Sequence, residues 1–175
     1  MAQVICYPNG AGSSTQWTAV GAATNWECVD EVSTDSDTTY VTINSALTNK
    51  RDFYTIDYSG LPVGAVITNV MLALRVRRET GSAAFNRLIK ANGTSSSDSN
   101  TTVGTTYSFV TRNFATNPTT GVAWRYSDMA SLEIGCGVTV VGTNYARITQ
   151  CYAVIDYKLI KSPVHAFGLL PVPLL

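Results

Sequence analysis

Histidine is almost absent from this chain: His165 is the only one in 175 residues. A Ser-His-Asp or Cys-His relay needs its imidazole inside a compact site, whereas His165 lies in a proline-rich terminal stretch. No G-x-S-x-G elbow, phosphate-binding loop or dinucleotide-binding glycine pattern occurs. A glycosidase pair needs two carboxylates facing one cleft. Here Asp30, Glu31, Asp35 and Asp37 crowd one loop, and Asp52, Asp57, Asp128, Glu133 and Asp156 are scattered. The sequence nominates no catalytic residue, so a non-enzymatic role is expected.

Charge is scarce too. Only 14% of residues are charged and the formal net charge is +0, against roughly 25% charged in soluble domains. Nucleic acid and anionic membrane surfaces are therefore not expected partners. Little charge keeps copies of the chain apart, and a homo-oligomer is expected. No apolar run approaches the roughly 18 residues of a membrane helix; Ala166–Leu175 is interrupted by Pro171 and Pro173. After Met1-Ala2-Gln3 comes no basic-then-apolar leader pattern, so synthesis and assembly in a cytoplasm are expected.

Cys6, Cys28, Cys136 and Cys151 form no C-x-x-C pair and have no neighbouring histidine, so neither zinc nor another cofactor is expected. Two readings of the thiols stand side by side. They are small buried residues, or they form a disulfide, either where Cys136 and Cys151, flanking Gly142-Thr143-Asn144, meet across a hairpin or between subunits in an oxidising medium.

What the chain does have is period-two alternation. Across Ala65–Arg78, Val66, Thr68, Val70, Leu72, Leu74 and Val76 fall on one face, opposite a mixed face of Ile67, Asn69, Met71, Ala73, Arg75 and Arg77. Gln3–Tyr7, Trp17–Val20, Asn25–Val29, Thr38–Ile43, Arg51–Tyr58, Ala83–Ala91, Thr105–Phe114, Gly137–Val141 and Ala146–Ile160 read as further strands. Pro8-Asn9-Gly10 and the following Gly/Ser run read as a flexible loop, Glu79–Ser82 as a hairpin turn, and Asn92–Val103 as a polar mobile loop. One stretch departs from strand. In Asn117–Gly135 a turn leads to Trp124, then to a short helix begun by Ser127 or Asp128 and ended by Gly135, with Met129 and Leu132 on its apolar edge. The expected fold is all-β: a two-sheet antiparallel sandwich of jelly-roll type, residues 1–160, with one short helix.

Residues 161–175 form a separate element, an extended apolar C-terminal arm. Its Pro163, Val164, Phe167, Leu169, Leu170, Val172, Leu174 and Leu175 suit neither helix nor central strand, and are expected to dock on a neighbouring subunit. The four carboxylates of Asp30–Asp37 allow either a calcium site or a solvated loop; their spacing is not that of a helix-loop-helix calcium loop, and no metal ligand is assigned.

Four segments carry a family resemblance. They are Trp26 with Val29-Asp30-Glu31; Thr39-Tyr40-Val41; Asn117-Pro-Thr-Thr-Gly-Val-Ala-Trp124 leading to Asp128 and Leu132-Glu133-Ile134-Gly135; and Thr149-Gln150-Cys151-Tyr152 into Val154-Ile155-Asp156-Tyr157. In these the chain resembles the small jelly-roll structural proteins of tailed-bacteriophage virions. The resemblance implies a non-enzymatic virion component assembled in the host cytoplasm. It would be a capsid decoration or cement protein contacting the major capsid protein or other virion proteins, or else a neck, collar or tail subunit. From a different class comes a glycan-binding attachment module on the same fold, for which Trp17, Trp124, Tyr40, Tyr54, Tyr58 and Tyr107 are the candidate stacking residues. A row of exposed aromatics on one sheet face would favour that second class.

Overall fold

Alternating apolar and polar side chains build most elements of the computed structural model, which describes residues 1–43, 50–141 and 145–160. Among these residues the strands are, in order, β1 (Ala2–Cys6), β2 (Pro8–Thr15), β3 (Thr18–Val20), β4 (Tyr40–Ile43), β5 (Lys50–Ile56) and β6 (Val66–Arg78). They continue with β7 (Ser82–Ala91), β8 (Thr94–Ser97), β9 (Thr101–Thr102), β10 (Ser108–Phe114), β11 (Glu133–Val141) and β12 (Ala146–Lys158). One antiparallel sheet runs β10-β6-β12-β4-β3, with β1 also against β12; the other runs β2-β5-β11-β7-β8, with β9 also against β7. From β4 to β7, and again from β10 to β12, each strand crosses to the opposite sheet. That is the paired Greek-key order of a jelly roll, and the chain forms the expected sandwich.

The core is the space between the sheets. Val70, Leu72, Leu74 and Val76 of β6, with Ile148, Cys151, Ala153 and Ile155 of β12, face Tyr54, Phe85, Ile89, Ile134 and Val138 of the other sheet, all at 1% exposure or less. The start of β6 departs from its sequence pattern: Ile67 is buried and Val66 is 44% exposed. A bulge is the cause. Pairing with β12 slips by one residue at Thr68, whose hydroxyl donates to the Asp156 carbonyl at 3.2 Å, and the slip exchanges the two faces.

A buried carboxylate ties the β2–β3 corner to β5. Asp52, wholly buried, accepts from the main-chain N–H of Gln16 and Trp17, from the Asn25 amide and from the Tyr54 hydroxyl. Burial raises its pKa and these four donors oppose the rise, so the charge is satisfied in place.

Several expected loops are strands. The Gly/Ser run after Pro8 is β2, and a Cβ on Gly12 would lie 2.6 Å from the Phe53 backbone, so the lack of a side chain permits the pairing. The polar stretch after Asn92 forms β8 and β9, which bracket the buried Asp98; its carboxylate accepts from the Arg87 main chain at 2.9 Å and pairs with the Arg87 guanidinium. Glu79–Ser82 is no hairpin, because β6 and β7 lie in different sheets. Asn25–Val29 contains a 3-10 turn, Trp26–Cys28, in place of a strand.

The Asn117–Gly135 segment closes one end of the sandwich. Asn117 N–H donates to the Val122 carbonyl at 2.8 Å and accepts at its own carbonyl from Gly121, with Gly121 at φ +73. The Trp124 indole donates to the Phe114 carbonyl at 2.7 Å. The helix is a 3-10 helix, Tyr126–Ser131, and Asp128 caps it by accepting from Arg125 N–H at 2.9 Å. Met129 and Leu132 are buried, as their spacing implies. Gly135 does not end the helix. It lies inside β11, where it is needed for close approach to β5 and not for a left-handed turn.

Candidate functional site

The outer face of the β10-β6-β12-β1 sheet carries a row of partly exposed apolar and aromatic side chains. Its floor is Ala73, a small side chain left with no exposure by larger neighbours. Phe109 of β10 reaches across β6 to Tyr152 of β12, ring centroids 6.1 Å apart and edge to face. Tyr152 in turn meets Tyr7, just past β1, at 5.8 Å. Ile5 pairs in register with Val154 beside them. Phe109 is 47% exposed and Ile5 50%, so a strip of aromatic and aliphatic side chains stands toward solvent. The phenol of Tyr152 is pushed up by burial and by its neighbour Tyr7.

At one end of the strip the face turns polar. Asp37 accepts from Arg147 at 2.7 Å, from Tyr107 at 2.8 Å and from Arg77 at 3.0 Å. Arg147 also pairs with Glu79, and Arg75 stacks over Tyr107, 4.5 Å from the ring centre. Although burial opposes it, the Tyr107 and Arg147 donors hold Asp37 below the usual carboxylate range. Three arginines and two carboxylates thus largely neutralise one another.

At the other end, beyond Tyr7, lies a pocket of about 280 Å³ where β1 passes into β2. Ile5, Tyr7, Pro8, Trp26 and Val32 supply its apolar wall, and Asn9, Asp30 and Asp57 its polar groups. Asp57 Oδ1 accepts from Ser59 N–H at 2.9 Å, which holds that carboxyl down. Burial raises Asp30, opposed by a hydrogen bond from its own main chain.

None of the aromatic residues singled out from sequence as stacking candidates stands in the apolar strip, and Tyr107 joins only its polar border. Trp17, Tyr54 and Trp124 are buried and belong to the core. Tyr40 lies under Arg147, Tyr107 under Arg75 and Arg77, and Tyr58 packs edge-on against Tyr126. Tyr7, Tyr152 and Phe109 form the row instead. Alternation against Cys151 and Ala153 is the signal that could have placed Tyr152 outward. In the acidic loop, Glu31 and Asp35 both accept from the Thr39 hydroxyl and Asp37 is tied to arginines. Among the described residues no three metal-ligating side chains converge. The hairpin proposed for Cys136 and Cys151 is not formed, since β11 and β12 belong to different sheets; both thiols are free and buried. The arm residues Pro163, Val164, Phe167, Leu169, Leu170, Val172, Leu174 and Leu175 lie outside the described residues.

No protein-family model and no curated protein matches the sequence. Among solved structures the chain is similar to one of the N-terminal CBM22-1–GH10 modules of endo-1,4-β-D-xylanase 10B from Clostridium thermocellum, complexed with xylohexaose. The two share 10% identity at a TM-score of 0.48, over 91% of this chain and 30% of that one. This chain thus spans under a third of that chain's length.

Proposed function

We propose that the chain is a non-enzymatic structural protein of a tailed-bacteriophage virion, in the first place a capsid decoration or cement protein that docks on neighbouring subunits. The observation that supports this reading is the outer strip of Ile5, Val154, Tyr152 and Phe109, an apolar band on one sheet face bordered by a self-neutralised polar network. Covering Ile5 and Phe109 contributes about 1 kcal/mol each, since full burial of such side chains is worth ~1.5–3 kcal/mol and each is already half covered. Arg77, Arg147, Asp37 and Glu79 need not be stripped of an unpaired charge when the face is covered. A protein that binds the assembled shell and not its loose subunits stabilises that shell by mass action. Among the residues that carry the virion-family resemblance, Asn117 to Trp124 and Asp128 to Leu132 close one end of the sandwich.

Quantitative mass spectrometry of purified particles, scaled to the major capsid protein, tests the reading. Copies on the order of hundreds place the protein on the capsid as decoration. A few dozen or fewer place it at the neck or tail. Absence from particles overturns the virion assignment.

A further inference from the structure

We infer that the pocket bounded by Trp26, Tyr7, Asp30 and Asp57 is a binding site for a neutral saccharide, with the row Tyr7–Tyr152–Phe109 as a track for further sugar units. This does not rest on the docking reading, and the two compete for Ile5, Tyr152 and Phe109.

The chemistry of the walls selects the ligand. A pyranose ring presents apolar C–H faces and a rim of hydroxyl donors, so its binder needs aromatic surface beside hydrogen-bond acceptors. Trp26 and Tyr7 supply the first; the carboxylates of Asp30 and Asp57 and the amide of Asn9 supply the second. Those acceptors retain capacity. Asp57 accepts from the Ser59 N–H and hydroxyl, Asn9 Oδ1 accepts from the Thr55 hydroxyl at 2.9 Å, and the hydrogen bond that acts on Asp30 comes from its own main chain, which leaves further lone pairs on each side chain. By contrast, the carboxylates elsewhere on this face are consumed: Asp37 by Arg77, Arg147 and Tyr107, and Asp156 by Gln3 and Asn69. A volume of about 280 Å³ lies at the lower edge of the roughly 300–1,000 Å³ typical of small-ligand pockets, enough for a sugar unit and not for a folded partner. Two carboxylates without an arginine or lysine in the lining disfavour sialic, uronic and sulfated sugars.

Beyond the pocket the three rings stand 5.8 and 6.1 Å apart in succession and are tilted by 47° and 68° to one another, so they are not parallel stacking platforms. They therefore offer one continuous apolar strip and not one platform per sugar. Longer oligosaccharides gain contact along it, and short ones do not.

Saturation-transfer NMR and isothermal titration of the full chain provide the test. The probes are the methyl glycosides of glucose, galactose, mannose and N-acetylglucosamine, then cellotetraose and mannotetraose, with glucuronic acid as the charged control. The expected result is saturation transfer to ring C–H protons of at least one neutral probe, with millimolar affinity and about tenfold tighter binding of a matching tetrasaccharide. D30N and D57N are expected to weaken binding about tenfold or more while each variant still melts cooperatively as a folded protein. Y152A is expected to remove the tetrasaccharide gain while leaving the monosaccharide affinity in place. The proposal is overturned by silence from every neutral probe, by glucuronic acid binding as well as the neutral set, or by D30N/D57N binding like wild type. Incorporation of D30N into particles at the wild-type level would show that any such failure concerns the pocket and not the docking role.

Discussion

The carbonyl oxygen of Asp52 occupies the space that a side chain at Gly135 would need: a Cβ built on Gly135 lies 2.0 Å from that oxygen. The two residues belong to neighbouring strands, β5 and β11, at the centre of one sheet. Backbone cannot retreat there without breaking the ladder that holds Asp52 in its buried network. Gly137, two residues on, faces the movable Asn86 side chain at 3.0 Å and Leu88 Cδ1 at an ordinary contact distance of 3.5 Å. G135A is therefore expected to cost about 3 kcal/mol or more, at the upper end of overpacking, and G137A about 1 kcal/mol or less. Urea unfolding of both variants measures the difference. Equal, small losses would show that the β5–β11 pairing yields easily, against this account.

Arg87 and Asp98 form an ion pair with side-chain exposures of 7% and 0%. Removing one charge leaves the other buried without a partner, so D98N is expected to destabilise by about 3–5 kcal/mol. D98A should cost at least as much, because the Arg87 main-chain N–H also loses its acceptor. Amide exchange would locate the damage: protection should fall first in β8 and β9, which the pair fastens to β7. Wild-type exchange in those strands of D98N would refute this.

The same pair explains what could and could not be read from sequence. β5, β6 and β12 were legible because one face of each is apolar and the period of two is unbroken for several residues. β2, β8 and β9 were not, since they are peripheral strands of Gly, Ser and Thr, held by main-chain pairing and by single polar anchors. Asp98 is one, and Glu133, which accepts from Ser13, is another. Jelly-roll crossovers use the same turn residues as hairpins, so Glu79–Ser82 signalled a turn without saying which sheet came next. Gly135 read as a helix end because glycine serves both left-handed turns and close approach, and only the neighbouring strand distinguishes them. The outward row was half legible, through the alternation of β10 and β12. The pocket was not, because Trp26, Asp30 and Asp57 come together from separate segments that no local pattern joins.

Glu31 makes the protein's stability depend on pH in an unusual direction. Burial raises its carboxyl to about 7, with repulsion from Asp35 and Asp30 added and the Thr39 hydrogen bond opposing. The folded value exceeds the ordinary 4.5, so the fold favours the protonated form. Its stabilising contribution is present below pH 4.5 and is lost as pH rises through about 7. E31Q, neutral throughout, is expected to match wild type at acid pH and to exceed it above pH 7 by on the order of 2–3 kcal/mol. Denaturant midpoints for both proteins across that range decide the matter; a constant difference at all pH values would remove Glu31 as the cause.

All four cysteines are free and without solvent exposure. Burial pushes the Cys6 thiol up to about 12, helped by the charge of Asp57, and raises Cys136 and Cys151 as well. Thiolate is the reactive form, so a thiol-specific reagent should modify the native protein only as fast as it opens. In denaturant without reductant, four thiols should titrate. A count of two would restore the disulfide between Cys136 and Cys151.

Docking has two candidate elements, and they can be separated. One is the outer strip, where Phe109 is 47% exposed on β10; the other is the apolar arm from Ser162 to Leu175. F109K places a charge where an apolar contact is proposed, yet the residue lies outside the core, so the fold should lose no more than about 1 kcal/mol. Truncation after Ile160 should leave a soluble, folded sandwich, because the described strands by themselves bury an extensive core between the two sheets. If the arm is the main anchor, the truncated protein fails to join particles while F109K joins at reduced occupancy. If the strip is the main anchor, the order reverses. Binding of each variant to particles lacking the protein, followed by sedimentation, measures both occupancies in one experiment. Wild-type occupancy for both variants, and for the two changes combined, would leave the proposed docking role without a surface and overturn it.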